Sequence, residues 1–403
     1  MSGRDAMERR LREIGYWPFS ITNAINMESW ESHLKPLTWT IENYYNRNKQ
    51  TREEMEEKLS ILEEIEEYLQ ENVFDEPIRG IQYELKAVVP FGSSAGALAM
   101  KGSDLDMILC VYPPVDPKDE KTIKSRTNSI LRRIFKDIEN GDMMEDRTWK
   151  DMEHVKTARV PIITGFVDGI EIDISISMTE RVSAQYLAAK YIDAYAKYDR
   201  RFILLAAFIK AWQKSKKTEE NEELYDIVFP KSCCVVLMVV LFMKHYKMLP
   251  NVNRKHKDKL SDIRATWKRV NGGEDGSFGV ENKAVRDWKE SNKNDVSLGT
   301  LFLLYLDFYT KVVDFKKHKL VVEDGRFERK TSSERRDQIV IEDVLDENNV
   351  GRSVTHVQRF RNLLFKAKNQ IIKCGSEILC DRLMDSKLGM TAEDVRRLQN
   401  LKN

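Results

Sequence analysis

The chain of 403 residues carries 66 Lys+Arg against 65 Asp+Glu, a formal charge of +1, with 41% hydrophobic, 33% charged and 9% aromatic residues. That length suggests two to three domains, each with its own core. The composition excludes collagen-like and largely disordered chains, and the charge balance excludes a histone-like cationic coat while leaving room for local basic surfaces. The longest apolar run, Cys233 to Met243, falls far short of the roughly 20 residues of a membrane span, and Met1 to Arg12 is too charged for a signal peptide. A soluble, intracellular protein without a membrane role is therefore expected. Five scattered cysteines (Cys110, Cys233, Cys234, Cys374, Cys380) contain no C-x-x-C pair, so reduced, mostly buried thiols are expected.

In chain order, Met27 to Asn46 and Thr51 to Glu71 read as helices. In the second, Met55, Leu59, Leu62, Ile65 and Leu69 recur at helical spacing, and its Glu-rich side reads as a solvated face. Strands follow at Tyr83 to Pro90 and at Leu105 to Tyr112, the latter ended by Pro113-Pro114, then a helix over Thr122 to Asn140. Val160 to Phe166 and Ile170 to Ile176 read as strands joined by a turn at Asp168-Gly169, which makes this middle region α/β.

From Ser183 onward the pattern is helical, with Asp199 to Lys214 and Ser232 to Tyr246 the clearest elements. Asn251 to Asn294 reads as a loop-rich insertion with one short helix. Leu298 to Val313 reads as an apolar helix, Leu320 to Glu323 as a short strand, Arg326 to Arg336 as a charged loop, and a last helix begins near Ser353. The tail past Ser386 is expected to be loosely held.

The chemistry lies in Phe91-Gly92-Ser93-Ser94-Ala95-Gly96 and in Gly102-Ser103-Asp104-Leu105-Asp106. Asp104 and Asp106 stand two apart at the head of a strand, so period-two alternation points both carboxylates to one side. Two such carboxylates repel unless a divalent cation lies between them, and oxygen-only ligands suit Mg²⁺, with Mn²⁺ an alternative. Asp173, in another strand, is placed to complete a two-metal site that activates a hydroxyl and stabilises a leaving pyrophosphate. The Gly-Ser turn offers backbone N–H groups and a hydroxyl to phosphate oxygens. Asp-x-Asp alone also describes an exposed turn; its combination with Gly92-Ser93 upstream and Asp173 downstream points to nucleotidyl transfer.

With these motifs the sequence resembles the DNA polymerase β-like nucleotidyltransferases, whose signature is Gly-Ser, Asp-x-Asp and a third Asp. It resembles their template-independent RNA-tailing branch, the cytoplasmic poly(A) polymerases and terminal uridylyltransferases. Four further stretches match: Asp199-Arg200-Arg201 with Lys210 to Lys214; Ser232 to Val239; Ser297 to Tyr309; and Ile341-Glu342-Asp343 to Asn349-Val350-Gly351-Arg352. The resemblance covers about Trp30 to Lys368.

The resemblance implies an α+β, two-lobed enzyme: a small mixed-sheet catalytic domain over 76–177 and a larger, mostly helical central domain over 178–385. It implies that the helices of 26–75 join the central domain, with an extension before them, an insertion near 251–296 and a tail over 386–403. A nucleoside triphosphate is expected in a cleft between the lobes, with Gly92, Ser93, Lys210, Lys214 and Ser232 around its phosphates. Lys210 and Lys214, four apart on one helix face, otherwise read as two solvated lysines. Asp173, as third carboxylate, is expected to orient or deprotonate the RNA 3′-hydroxyl.

Departures from the family bear on the base. Cys233 stands where a stacking tyrosine is usual, and its surface is far smaller. Asn348 stands where uridylyltransferases carry a histidine, which resembles the adenylyl-transferring members. The Asn-Thr pair that holds the ribose is missing, with Ser183, Ala184 and Gln185 in roughly its place. Adenylyl or mixed-base tailing, including alternating U and G as in RNA silencing, is thereby favoured over strict uridylyl transfer.

Basic clusters occur at Arg9 to Arg12, Arg132-Arg133, Lys214 to Lys217, Arg254 to Lys259 and Lys316 to Lys319, each a solvated patch or a phosphate contact. No RRM signature, zinc knuckle or Arg-Gly tract is present, so a protein partner is expected to choose the RNA, and no DNA template is expected. The expected location is cytoplasmic, RNA granules included, with the nucleus open. Two other readings stand beside this one: an inactive scaffold of the same fold in an RNA-regulatory complex, and a nucleotidyltransferase of small molecules or primer-free oligonucleotides, which the stretches Leu298 to Tyr309 and Asn349 to Arg352 disfavour.

Overall fold

The computed structural model describes residues 27–93, 96–116, 118–178, 184–216, 227–251, 282–291, 296–342 and 349–374. Its elements are helices α1 (Met27–Asn48) and α2 (Arg52–Tyr68), with a π-helical turn Leu69–Val73; strands β1 (Glu84–Phe91) and β2 (Leu105–Tyr112); helix α3 (Glu120–Asn140); and strands β3 (Trp149–Val155), β4 (Ile162–Val167) and β5 (Ile170–Ser177). Helices α4 (Ala184–Tyr198), α5 (Arg200–Lys216), α6 (Ser232–His245), α7 (Asn282–Ser291) and α8 (Leu298–Asp307) follow. A π-helical turn Phe308–Val312, short strands β6 (His318–Val321), β7 (Arg326–Arg329) and β8 (Ile341–Glu342), and helix α9 (Val357–Cys374) complete the set. The chain divides into two compact units, one of residues 49–194 with 253–279, the other of 1–48, 195–252 and 280–403.

The first unit is built on a five-stranded mixed sheet of order β1-β2-β5-β4-β3, in which only β2 and β5 run parallel. Strand alternation sends Leu105, Met107, Leu109 and Val111 of β2, with Ile172, Ile174 and Ile176 of β5, into one core. Ile130, Leu131, Ile134 and Ile138 of α3 cover that face. The opposite face carries a smaller buried cluster of Ala87, Val89, Ile108 and Cys110, with Phe91 packed on it. Burial pushes the Cys110 thiol up to about 12, so it is an inert core group. The β4–β5 hairpin turns at Asp168 (φ 50°) and Gly169 (φ 84°), as its Asp-Gly pair predicts.

Helix α2 corrects the expected domain boundary. Thr51 closes a capping box with Glu54, and Ile61, Leu62 and Ile65 bury in the same core as the sheet rather than in the helical unit. Arg147 fastens it there. Its guanidinium donates to Glu64 (3.0 Å to Oε2), Ser60 (2.8 Å) and Asp168 (3.0 Å) and pairs with Glu57, joining the helix to the β4–β5 hairpin. An amphipathic pattern states that a helix has a partner, not which one.

In the second unit, α5, α6 and α8 are buried over most of their surface, and α8 crosses α1 where Gly299 removes a side chain: a Cβ there would lie 2.6 Å from the Leu34 carbonyl oxygen. Asp307 and Lys368, 2% and 3% exposed, form a buried ion pair at 3.0 Å between α8 and α9. Three expectations change here. The helix of Leu298 to Val313 ends its α-helical part at Asp307. The charged loop Arg326 to Arg336 begins as β7, paired antiparallel with β6, and β6 itself starts at His318 rather than Leu320. Strand β3 was hidden by its polar sequence, which is that of an exposed sheet edge. The extension before residue 27, most of the insertion and the tail lie outside the described residues.

Candidate active site

The site face of the first sheet is the one opposite the α3-covered core. Asp106 and Asp173 are direct register partners on the parallel strands β2 and β5, so their α-carbons stand about 4.8 Å apart. Both are half-buried, and Asp104, just before β2, is exposed. Phe91 pairs with Asp106 from the other side, which brings the following turn, Gly92-Ser93, to the same carboxylate. Gly92 adopts φ +68°, and a Cβ on it would collide with the Asp106 carboxylate, lying 3.0 Å from its Cγ. Only glycine lets the backbone come this close.

Burial first, then the charges of Asp173 and Asp104, push Asp106 up to about 7, with Lys58 pulling it down. The protein thus holds a carboxylate group whose mutual repulsion is only partly relieved. An oxygen-only donor set on one face, with a glycine cradle behind it, fits a hard divalent cation. Among the described residues, no three carboxylate, imidazole or thiol groups converge into a finished metal cage. The chain supplies two carboxylates in register, Asp106 and Asp173.

The loop joining the Gly-Ser turn to Asp-x-Asp is fastened at both ends. Asp193 on α4 accepts a hydrogen bond from the Ala97 N–H (2.8 Å), with Gly96 pressed against its carboxylate. Gln50 N–H donates to the Ala99 carbonyl (3.0 Å), and Lys58 Nζ reaches Ser103. Sequence reasoning missed Asp193 and Lys58. For Lys58 there was a signal: it stands three and four residues before Ile61 and Leu62, so its place is on the buried stripe of an otherwise acidic helix.

The other candidate residues belong to the second unit. Lys210 (half-buried) and Lys214 (exposed) lie on α5, four apart. Ser232 and Cys233 are exposed in the first turn of α6, whose N-cap, Lys231, makes no side-chain capping bond, so that turn presents backbone N–H groups suited to an anion. Asn348 and Ser183 lie outside the described residues, as do the side chains of Ala184 and Gln185. Several family-like stretches prove architectural. Arg201 embraces Asp199 and donates to the Val296 carbonyl (2.8 Å). Asn349 accepts from the N–H groups of Ile341 (3.0 Å) and Gly351 (2.9 Å) and donates to the Ile339 carbonyl (2.9 Å). Among the basic clusters, Arg132 and Arg133 are exposed on α3, whereas Lys319 is paired with Glu342 and Glu328.

The sheet of the first unit thus carries Asp106 and Asp173 on one face beside the Gly92-Ser93 turn, with Asp104 just before β2. Residues 37–195 match the family described as "Poly(A) RNA polymerase, mitochondrial-like, central palm domain".

The chain is similar to Poly(A) RNA polymerase gld-2 of Caenorhabditis elegans, 22% identical over 73% of this chain and 24% of the relative. It is also similar to Terminal uridylyltransferase 7 of Homo sapiens, 26% identical over 69% and 17%. The chain thus spans a quarter or less of the length of these relatives. The solved structure of Cid1, described by its RNA terminal uridylyl transferase activity, shares the fold with a TM-score of 0.57 at 20% identity, over 84% of this chain and 95% of that one.

Proposed function

We propose that the chain is an RNA 3′-terminal nucleotidyltransferase that adds untemplated ribonucleotides to an RNA 3′-hydroxyl. The observation that carries this reading is the adjacency of Asp106 and Asp173 in register, beside Asp104 and against a Gly92-Ser93 turn. In this account Asp104, Asp106 and Asp173 hold the divalent ions, Mg²⁺ or Mn²⁺. Such ions, when bound, lower the pKa of the attacking hydroxyl and neutralise charge on the departing pyrophosphate. Asp173 orients the 3′-hydroxyl or takes its proton. The Gly92-Ser93 turn donates to phosphate oxygens, Lys210 and Lys214 offset triphosphate charge, and Ser232 with the first turn of α6 donates N–H and O–H groups to it.

Cys233, exposed where a ring would stack, offers the base little surface, and Asn348 replaces the histidine of uridylyltransferases. Both support adenylyl or mixed-base tailing, including U with G, over strict uridylyl addition. Without a recognisable RNA-binding module and with a charge of +1, the chain is expected to bind RNA weakly and to take its target from a protein partner, in the cytoplasm or its RNA granules. The test is extension of a labelled RNA primer with Mg²⁺ and each triphosphate singly and in pairs, followed by sequencing of the tails. Extension with ATP, or with UTP and GTP together, supports the reading. No extension under any condition supports the inactive scaffold, and product without primer supports the primer-free enzyme.

A further inference from the structure

Lys58 has no part in the reading above, and its surroundings are unusual for a lysine. It projects from the buried stripe of α2 and is 6% exposed, so its ammonium does not snorkel to water as a surface lysine would. Nζ instead donates to the Ser103 carbonyl (2.5 Å), the Ser103 hydroxyl (3.0 Å) and Gln50 Oε1 (2.8 Å). Ser103 immediately precedes Asp104. A carbonyl acceptor cannot move apart from its backbone, so this contact fixes the peptide that leads into Asp-x-Asp. The same turn is held from a second side by Glu54, which accepts from the Gly102 N–H (3.3 Å), and internally by the Ser103 N–H to the Met100 carbonyl (3.1 Å).

Burying an ammonium costs several kcal/mol, and burial depresses the Lys58 pKa while Glu54, Asp104 and Asp106 hold it up. A hydrophobic residue on this stripe would satisfy α2 without that cost, whereas a cation is what the two aspartates need.

We propose that Lys58 is a positioning residue for nucleotidyl transfer: its ammonium tethers the Gly102–Ser103–Asp104 turn and supplies the local positive charge that keeps Asp104 and Asp106 assembled to receive a divalent cation. The inference rests on the assignment of those aspartates as metal ligands. Lys58 itself touches neither substrate nor metal; it acts through Ser103 and through its field.

The test is Mn²⁺ binding to the full chain without RNA or triphosphate, read by electron paramagnetic resonance, together with kcat and KM for primer extension. Lys58→Met is expected to weaken Mn²⁺ binding about tenfold and to lower kcat by a similar factor, with KM for the triphosphate within about twofold. Lys58→Arg, which keeps charge and donors, is expected to restore most of both. A purely structural lysine would lower the melting temperature of Lys58→Met and leave the Mn²⁺ affinity of the folded protein unchanged; that result overturns the proposal.

Should Lys58→Met not fold, Ser103→Ala removes one acceptor without disturbing α2. A loss of Mn²⁺ affinity of about threefold supports the tether, and wild-type affinity overturns it. The Asp104→Ala, Asp106→Ala double variant separates the two levels of the account. If it keeps wild-type Mn²⁺ binding, the metal assignment and the Lys58 inference both fail. If it loses binding while Lys58→Met retains it, only the inference fails.

Discussion

Asp106→Asn should stabilise the metal-free protein at neutral pH, because the native fold holds this carboxyl at about 7 against an ordinary value of 3.8. Holding the carboxyl at that value costs at most about 4 kcal/mol at neutral pH, and partial exposure and solvent relaxation reduce this to about 2 kcal/mol. Because the folded pKa is raised, the native state binds the proton more tightly than the unfolded chain. Wild-type stability attributable to this group is therefore fully present below pH 4, falls as pH rises towards 7, and is level above. The variant lacks that loss. Urea unfolding of both proteins in chelator at pH 4.5 and pH 8 should show the advantage of the variant growing with pH, and addition of Mg²⁺ should stabilise the wild type alone. A difference between the two proteins that does not change with pH would refute the reasoning, as would a variant less stable than wild type at pH 8.

Gly92→Ala places a Cβ at φ +68° against the Asp106 carboxylate, so tailing should fall about 100-fold while circular dichroism reports an intact fold. Asn349→Ala strips three hydrogen bonds from the loop that ties β8 to the Gly351 turn and should cost about 2–3 kcal/mol in urea unfolding, with residual activity in the folded fraction. Cys233→Tyr adds a ring at an exposed position in the first turn of α6; base stacking worth about 1–3 kcal/mol should lower KM for the preferred triphosphate at least fivefold in primer extension.

The carboxylate site was legible in the sequence because its logic is local. Two residues at i and i+2 share a strand face, and alternating isoleucines around Asp173 mark it as the outward residue of a strand buried on its other side. The structure places Asp173 on β5 in register with Asp106 on β2, whereas β2 begins at Leu105 and leaves Asp104 just outside the strand. What was not legible depends on which surfaces meet. The stripe of α2 gave its periodicity but not its partner, and so the helix was assigned to the wrong unit. The lysine on that stripe was overlooked among glutamates, although its spacing marked it as buried. Strand β3 is polar because it is an edge, and a charged run such as Arg326 to Arg329 reads as a loop until β6 pairs with it. Asp199, Arg201 and Asn349 belong to family-like stretches, yet their side chains are spent on backbone and neighbour contacts that no motif discloses.

The central claim is that these three aspartates transfer nucleotides to an RNA 3′-hydroxyl. Its most direct test compares the wild type with Asp104→Ala, Asp106→Ala and Asp173→Ala on two end-labelled RNAs, one ending in a 3′-hydroxyl and one in a 3′-phosphate, with Mg²⁺ and the four triphosphates. The account predicts tails from the wild type on the 3′-hydroxyl RNA alone and none from any folded variant. Tailing at the wild-type rate by any of the three variants, or tails on the 3′-phosphate RNA, would contradict it.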